Sequence, residues 1–376
     1  MSVSIVAKVK LYPTKDQADN LLQTMRAYSD ACNFVSAYIF EKRELSKDKL
    51  NKALYRDIRY KFNLGAQMAQ SVLRTVVAKY KTIMTNEGEW TQPNFRHPQC
   101  DLVWNRDYSL RKENFSVNTL EGRTKVPFEN KGMEAFFNRG VWKFGTAKVV
   151  YKRGKWYLHI AVTNSDTDVE DKDLVNVVGV DSGINFIATA YGDDGKTKFF
   201  SGKKIKHKRA QYAKTRKNLQ KRRTASSRRR LKKIGGREHR WMQDVNHCVS
   251  KALVTHYPKG TLFALEDLSG IRNVTEKVRL KNRYVTVSWA FYDLRQKVEY
   301  KAKLRKSKMI VVDPAYTSQK CPICGHTERS NRNKKEHLFT CKKCGYKSND
   351  DRIGAMNLYH KGIEYLYTVA SEQVPA

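Results

Sequence analysis

The stretch CPICGHTERSNRNKKEHLFTCKKCGYKSNDD, residues 321–351, places two C-x-x-C pairs directly before two consecutive aspartates. The cysteines are Cys321, Cys324, Cys341 and Cys344, and 16 residues separate the two pairs. This spacing is typical of a zinc ribbon, and four thiolates around Zn²⁺ leave no open position for a substrate. We therefore predict one structural zinc ion, which folds a ribbon whose core is too small to fold alone.

Three acidic residues stand at the ends of predicted strands or helices. Asp181 ends the apolar run VVGVD, Glu266 ends TLFALE, and Asp351 begins the last predicted helix. Because strand ends and adjoining helix termini meet at one edge of an open α/β sheet, we expect the three carboxylates to converge. Carboxylates this close raise one another's pKa, and a divalent cation removes the conflict. Oxygen ligands favour Mg²⁺ or Mn²⁺, and two such ions suit hydrolysis of a phosphodiester.

Each acid also has a purely structural interpretation when it is taken alone. An aspartate near an element boundary often caps a helix, and Asp351 would then do no more than that. Glu266, or its neighbour Asp267, would form a surface ion pair. Asp350 and Asp267 compete for the roles of their neighbours. The occurrence of all three acids in a strongly basic chain favours the metal site.

The net charge of the chain indicates which kind of molecule it binds. Its 376 residues include 73 lysines and arginines against 37 acids, a net charge of +36. Such self-repulsion does not stabilise a globular protein, and its usual reason is a polyanionic partner, most commonly nucleic acid. A merely soluble basic surface is the alternative. The hydrophobic content of 40% excludes a disordered tail.

The cysteine count and the apolar runs indicate a compartment. Seven cysteines are an odd number, and Cys32, Cys100 and Cys248 lie scattered outside the two pairs. This pattern suits a reducing compartment better than a disulfide framework. The start, MSVSIVAKVKLYP, predicts a strand and not a signal peptide. With no run near the roughly 20 apolar residues of a membrane span, we expect a cytoplasmic, nucleoid-associated protein with no membrane partner.

The hydrophobic periodicity changes along the chain. Residues 2–12 alternate as in a strand, and the spacing is helical from Thr14 to about Tyr80. From Trp90 to about Val162 the pattern predicts a small antiparallel sheet or barrel, joined by the first strand, with a hairpin turn at Arg153-Gly154. An acidic linker follows, and beyond it buried strands alternate with helices.

Five segments of the second half resemble the TnpB family, a group of transposon-encoded, RNA-guided nucleases related to type V CRISPR effectors and to Fanzor proteins. They are GVDSGINFIAT, FALEDLSGI, YTSQKCPICG, CKKCGYKSNDDRIGAMNL and WAFYDLRQKVEYKA. The resemblance is strong over about residues 176–362, roughly half of the chain. It implies an α+β multidomain protein. An RNase H-like (RuvC) nuclease α/β domain carries the zinc-ribbon insert and is joined to a helical recognition unit and a small β-barrel, the wedge.

The resemblance also implies domain boundaries. We expect the first wedge strand at 1–13, the helical recognition domain at 14–90, the wedge and linker at 91–170, the two parts of the nuclease domain at 171–314 and 349–376, and the target nucleic-acid-binding insert at 315–348.

The family's three catalytic acids carry over to this chain. The first lies in G-[IV]-D-x-G, here residues 179–183, and the second precedes L-S-G, so they correspond to Asp181 and Glu266. The third belongs to a pattern like D-x-N-A-A-x-N, which aligns on Asp351 and not on Asp350. Ile353 and Gly354 depart from this pattern. The resemblance implies that these acids bind two Mg²⁺ or Mn²⁺ ions, with Asp181 bridging them.

The implied activity is RNA-guided cleavage of double-stranded DNA beside a short flanking motif, with a guide RNA as partner; whether one chain, as a monomer, or two chains bind each guide stays open. Two alternatives stay open: an RNA-guided DNA-binding protein that represses without cutting, and a guide-free RNase H-type nuclease or transposase. The presence of all three acids argues against the first. The helical unit, barrel and zinc insert argue against the second.

Residues 201–240 contain 18 lysines and arginines against one acid, Glu238. Like charges at helical spacing repel, so binding to the backbone of RNA or of a guide–target heteroduplex explains this segment better than a solvated face. The candidate contacts are Lys203, Arg209, Arg216, Arg222, Arg223 and Arg229.

Two smaller groups of polar residues have an open interpretation. Thr317, Ser318 and Gln319 precede the first cysteine pair, and they either contact a phosphate or cap the turn after a proline. Asn246 and His247 lie on the helix before the strand of Glu266, and the sequence favours a structural role for them.

Overall fold

A computed structural model describes residues 2–111, 114–183, 185–268 and 291–372. Ile184, Ser269, Gly270, Ile271, Trp289 and Ala290, which belong to three of the segments quoted above, lie outside the described residues. The chain divides into two compact units, residues 2–166 and the residues from Thr167 onward. No helix in the described ranges has the length and apolar character that a membrane crossing requires.

The first unit contains three helices, in agreement with the helical spacing of its sequence: α1 (Lys15–Lys42), α2 (Lys47–Phe62) and α3 (Ala66–Glu87). Thr14 begins α1 with a capping box, in which its hydroxyl accepts from the Gln17 amide and the Gln17 side chain accepts from the Thr14 amide. Leu21, Met25 and Tyr28 are buried at helical spacing along α1.

A barrel-like, antiparallel sheet of seven strands completes this unit. The strands are β1 (Val3–Leu11), β2 (Asp101–Leu102), β3 (Tyr108–Arg111), β4 (Asn114–Thr119), β5 (Gly122–Glu129), β6 (Lys143–Lys152) and β7 (Lys155–Asn164), in the order β2-β6-β7-β1-β5-β4-β3. The hairpin predicted between β6 and β7 is present. Its turn residues Arg153 and Gly154 both have positive φ, 57° and 74°, which suits the twist of a two-residue hairpin.

The second unit is built on a five-stranded sheet of β8 (Asn176–Asp181), β9 (Phe186–Gly192), β10 (Thr197–Ser201), β11 (Thr261–Glu266) and β12 (Lys308–Val312). The order is β10-β9-β8-β11-β12. The first three strands are antiparallel neighbours, whereas β8, β11 and β12 run parallel. The carboxyl ends of β8 and β11 therefore lie side by side.

Among the described residues, four helices surround this sheet: α4 (Lys203–Arg222), α5 (Ala225–His256), α6 (Phe291–Leu304) and α7 (Asp350–Glu372). Helix α7 begins one residue earlier than the sequence predicted. Helices α5 and α6 share one buried cluster with the strands, in which Val178, Phe263 and Leu294 take part. Helix α7 has its own tight contact with β8, because a Cβ on Gly362 would lie 2.6 Å from Cγ1 of Val177.

Strand β12 differs from its prediction as a buried strand. It is the last strand in the order of the described sheet and pairs with β11 alone there. Its residues are half-buried or exposed, and Val311 is 41% exposed. A short apolar run such as MIVV, residues 309–312, has the same sequence signature at the edge as in the centre of a sheet. The prediction that this strand is buried was therefore wrong.

A small three-stranded sheet forms the insert between β12 and α7. Its strands are β13 (Arg332–Asn333), β14 (Leu338–Thr340) and β15 (Lys347–Asn349), paired antiparallel in that order. Its buried cluster consists mainly of Phe339 and the cysteine side chains, and it shares Ile353 and Met356 with α7. Such a small core supports the expectation that a metal stabilises the insert.

Candidate metal centre and nucleic-acid surface

The sheet topology brings two of the predicted acids to one edge. Asp181 is the last residue of β8, and Glu266 is the last residue of β11. Leu265 pairs with Val180 in the parallel register, so the next residue of each strand is an acid. Each strand end thus carries one carboxylate of the candidate metal centre.

Helix α7 brings the third acid. A Cβ on Gly354 would lie 3.0 Å from Cγ of Asp181, and a Cβ on Gly183 would lie 3.7 Å from Oδ1 of Asp351. The first turn of α7 therefore lies against the end of β8. The structure brings Asp181, Glu266 and Asp351 to one place from three separate elements.

Asp351 is not the cap of its helix. The Asn349 side-chain oxygen accepts hydrogen bonds from the amides of Asp351, at 3.1 Å, and of Arg352, at 3.2 Å. This is the usual arrangement at a helix start. Oδ2 of Asp351 is buried and makes no hydrogen bond with the described part of the chain. The structural interpretation of Asp351 as a cap is therefore excluded, because Asn349 has that role.

Burial dominates the electrostatics of the three acids, and at Asp181 repulsion from the other two adds to it. Burial, followed by the charges of Glu266 and Asp351, raises the pKa of Asp181 well above its ordinary value. Burial raises the pKa of Glu266, against a hydrogen bond from Thr317. Burial and then the charge of Asp350 raise the pKa of Asp351. Ionised together, the three groups destabilise one another unless a cation lies among them.

The neighbouring aspartate has a different environment. Nε of Arg332 donates to Oδ2 of Asp350 at 2.8 Å, and Nδ1 of His337 lies 3.5 Å from Oδ1. The charge of Arg332 also lowers the pKa of Asp181, Glu266 and Asp351. Asp350 therefore holds an arginine beside the acids, which distinguishes its role from that of Asp351.

A second acidic group overlaps this centre. Oxygens of Asp350 and Asp351 and a ring nitrogen of His337 lie within 4.8 Å of one another. Within the described ranges, Asp181, Glu266 and Asp351 do not form a group as tight as this. Asp350 is already paired with a guanidinium, which opposes a cation at that point.

Three observations test whether the acids fit a divalent cation. Oδ2 of Asp351 is buried without a partner in the described ranges, and so is the hydroxyl of Thr189, which faces Asp181 directly across the β8–β9 pair. The missing side chain of Gly354 leaves space against the Asp181 carboxylate. The atoms that these acids offer as metal ligands are all oxygens, which Mg²⁺ and Mn²⁺ prefer. The residues fit such an ion.

The four cysteines of the insert converge. Their sulfur atoms all lie within 4.8 Å of one another, with Cys321 Sγ 3.6 Å from Cys344 Sγ and Cys324 Sγ 3.5 Å from Cys341 Sγ. Four sulfurs at about 2.3 Å from a tetrahedral Zn²⁺ would stand about 3.8 Å apart. The cluster is consistent with the structural zinc that the spacing predicted.

The segment before the first cysteine pair forms a turn. The amide of Thr317 donates to the Pro314 carbonyl at 3.4 Å, and that of Gln319 donates to the Tyr316 carbonyl at 2.9 Å. Ser318 and Gln319 are half-buried. The hydroxyl of Thr317 donates to Oε1 of Glu266 at 2.5 Å, which the sequence did not predict.

Helices α4 and α5 carry the basic stretch, and most of its cations face solvent. Among the predicted contacts, Lys203, Arg222, Arg223 and Arg229 are exposed. Arg209 is 4% exposed and lies 3.9 Å from Glu238. Arg216 also pairs with Glu238 and is half-buried. Arg209 is thus buried between α4 and α5 and not on their exposed surface, because the one acid of the stretch holds it there.

The remaining polar candidates have structural partners. Asn246 is fully buried, and its amide donates to Asp293 of α6 at 2.8 Å. The carbonyl of His247 accepts from Lys301 at 2.6 Å. Both residues therefore join α5 to α6, as the sequence favoured. Asp267 accepts from Arg295 at 3.1 Å, which is the surface pair considered for it above.

Two family patterns match the second unit and the end of the first. Residues 159–270 match a family described as "Probable transposase", and residues 291–358 match one described as "Cas12f1-like, TNB domain". The first range ends just after the strand of Glu266. The second contains the cysteine cluster and Asp351.

Curated proteins are similar to between 35% and 56% of the chain. A CRISPR-associated endodeoxyribonuclease Cas12f1 of Syntrophomonas palmitatica is 32% identical over 212 residues, 52% of this chain and 41% of that protein. The putative RNA-guided DNA endonuclease InsQ of Escherichia coli K12 is 28% identical over 228 residues, 56% of this chain and 54% of InsQ. A TnpB-like protein of Methanocaldococcus jannaschii is 33% identical over 132 residues, 35% of this chain and 46% of that protein. The chain thus spans about half the length of these relatives.

The fold extends the likeness to nearly the whole chain. The solved structure of a Cas12f1–sgRNA–target DNA complex superposes with a TM-score of 0.63 over 91% of this chain and 82% of that one, at 14% identity. This likeness confirms the mixed α+β fold. In that structure the protein is bound to a guide RNA and a target DNA.

Proposed function

Because the chain belongs to the TnpB family, we propose that it is an RNA-guided DNA endonuclease which cuts the phosphodiester backbone at the Asp181–Glu266–Asp351 centre. The convergence of these acids from two neighbouring strands and one helix start carries the proposal. A DNA-binding protein without cleavage has no need of three carboxylates at one place, where burial and the charges of Glu266 and Asp351 disfavour the ionised form of Asp181 unless a cation binds.

The topology of the second unit supports the finer assignment of an RNase H-like, RuvC-type nuclease domain. Three antiparallel strands, β10, β9 and β8, are followed across the sheet by parallel strands β11 and β12. In this arrangement the first strand in chain order, β8, is central and ends at an acid. The insert between β12 and α7 takes the place of the family's target nucleic-acid-binding domain.

We assign Asp181, Glu266 and Asp351 as the residues that would hold two Mg²⁺ ions. When bound, the metal lowers the pKa of a coordinated water and neutralises charge on the phosphate. Asp181 interacts electrostatically with both Glu266 and Asp351, so it would hold the ions together with them. Gly354 lets the first turn of α7 lie close to the Asp181 carboxylate, and Asn349 leaves Asp351 free of a capping role.

The basic face of α4 and α5 is assigned to the backbone of the guide RNA or of its duplex with the target strand. Phosphate contacts from exposed lysines and arginines give affinity without sequence preference, and the guide supplies the sequence. The helices and barrel-like sheet of residues 2–166 are assigned to the short DNA motif beside the target.

The test begins with the RNA that copurifies with the full-length chain. Sequencing it identifies the guide, which is then programmed against a plasmid that carries randomised flanking positions. Magnesium-dependent cutting at a site set by the guide is the expected result. Tight guide-directed binding without cutting would instead identify a repressor, and cutting that ignores the guide would identify a guide-free nuclease.

A further inference from the structure

Glu266 receives a hydrogen bond from a segment distant in the sequence. The hydroxyl of Thr317 donates to Oε1 of Glu266 at 2.5 Å, across 51 residues of chain, and the Pro314 carbonyl lies 3.0 Å from the same hydroxyl. Thr317 is 3% exposed, so solvent does not readily replace this donor. A hydroxyl bound to a carboxylate is directional and strong. It therefore fixes one oxygen of Glu266 and orients the other.

Helix α7 holds the segment that carries this threonine. The side-chain amide of Asn357 donates to the carbonyls of Thr317, at 2.7 Å, and Lys320, at 2.8 Å. Asn357 is 4% exposed and lies on the same helix as Asp351. One helix thus presents an acid directly and positions the donor that acts on a second acid.

The same segment is also bound to the cysteine insert. The Asn331 side chain donates to the Gln319 carbonyl at 3.0 Å, and its oxygen accepts from the Lys342 amide at 2.9 Å. Asn331 is 1% exposed. Lys342 directly follows Cys341, so this side chain links the segment before the first cysteine pair to the second pair.

We infer that Thr317 is a positioning residue for Glu266 and that it connects this carboxylate to the zinc-ribbon insert. The inference rests on the proposed function of the acids. The chain of contacts runs from the cysteine cluster through Asn331 to the 317–320 turn, and from Thr317 to Glu266. The insert thus contributes to the geometry of the metal centre as well as to the binding of nucleic acid.

The test compares Thr317→Val, which removes the hydroxyl at nearly constant shape, with Thr317→Ser, which keeps it. Mn²⁺ binding to the full-length chain, freed of RNA, is measured by electron paramagnetic resonance with Glu266→Gln as the baseline. A partner that orients a metal ligand typically contributes 10- to 100-fold in affinity, so Thr317→Val should weaken Mn²⁺ binding by about that factor. Thr317→Ser should recover most of it, and zinc content should be unchanged in both.

A second readout is the Mg²⁺ concentration that gives half-maximal DNA cleavage, which should rise in Thr317→Val and return in Thr317→Ser. Asn357→Leu, which removes the anchor and keeps the hydroxyl, should shift both measurements in the same direction. Wild-type values in Thr317→Val and Asn357→Leu would overturn the inference while leaving the proposed function intact. A wild-type chain that neither binds Mn²⁺ nor cuts DNA would overturn the proposed function, and the inference with it.

Discussion

Gly179 of β8 lies so close to α7 that a Cβ at this position would stand 2.0 Å from the Ala355 carbonyl oxygen and 2.2 Å from the Tyr359 amide. Both neighbours are backbone atoms, which cannot rotate away. The glycine therefore sets the distance between the strand that ends at Asp181 and the helix that begins beside Asp351.

Gly179→Ala should be strongly destabilising. Overpacking of a buried contact commonly costs about 1–3 kcal/mol, and the approach here is at the severe end of that range. We expect a lower midpoint of chemical denaturation and, because α7 is displaced from β8, weaker divalent-metal binding at any temperature. Wild-type stability in this variant would show that α7 does not pack as described.

Gly235→Ala is the matched control. Gly235 lies inside α5, and a Cβ there would have no neighbour within 4 Å. Alanine in a helix interior is better than glycine by about 0.5–1 kcal/mol, so this variant should be as stable as the wild type or slightly more stable.

The three acids should be separable from guide binding. Asp181→Asn and Glu266→Gln keep the side-chain shape and remove a metal ligand, so DNA cleavage should fall at least about 10³-fold, the loss expected when metal stabilisation worth several kcal/mol is removed. Affinity for the guide RNA should stay within about threefold, because phosphate contacts by basic residues supply it. Asp57→Asn, on an exposed position of α2, is the control for a general effect of charge. Retained cleavage in Asp181→Asn would remove that residue from the centre.

The raised pKa values of Asp181, Glu266 and Asp351 predict how stability varies with pH in the absence of metal. In the folded state these groups keep protons that the unfolded chain has already released. Stability from this source is therefore present at low pH and is lost as pH rises through the window between the ordinary carboxyl values and the raised ones.

Asp181→Asn removes the carboxyl group with the most strongly raised pKa, so its stability relative to the wild type should increase as pH rises above the ordinary carboxyl range. Thermal unfolding in a metal chelator measures this difference. Mg²⁺ should stabilise the wild type more at the higher pH. A difference independent of pH would mean that the pKa of Asp181 is not raised in the folded chain.

Much of this centre follows from local sequence signals. Runs such as VVGVD and TLFALE predict strands with an acid at the end, and the parallel pairing of β8 and β11 then places Asp181 next to Glu266. The C-x-x-C pairs predict the sulfur cluster because each pair brings two metal-binding sulfurs together within four residues. These signals needed no information about distant contacts.

The contacts across the fold did not follow from sequence. Thr317 and Glu266 are 51 residues apart, and no periodicity links a hydroxyl in a turn to an acid at the end of a strand. Arg209 has the same local pattern as the exposed cations of α4, and only the position of Glu238 on the neighbouring helix makes it a buried one. Pairing of this kind depends on how helices pack.

The exposed lysines and arginines of helices α4 and α5 should contribute to guide affinity additively and without sequence preference. Replacing both Arg229 and Arg230 with alanine removes two exposed charges, so the slope of log K against log salt should decrease in magnitude by about 1.5, at roughly 0.7–0.9 for each phosphate contact. Fluorescence anisotropy of labelled guide RNA over a salt series gives this slope. Arg209→Met should instead lower the unfolding temperature and leave the slope unchanged, because that guanidinium is buried beside Glu238.

Zinc removal should unfold the insert before the rest of the second unit. Cys341→Ser removes one of four thiolates, and a Cys₄ site with a core this small folds only with its metal. We expect zinc content, measured by atomic emission, to fall from one ion per chain to well below one. Amide exchange should increase over residues 315–348, while the buried strands β8 and β11 stay protected.

Cys248→Ser, at an exposed cysteine outside the cluster, is the control and should keep its zinc. Full zinc occupancy in Cys341→Ser would show that the four sulfurs do not form the site, and protected amides in a zinc-free insert would show that the metal does not fold it.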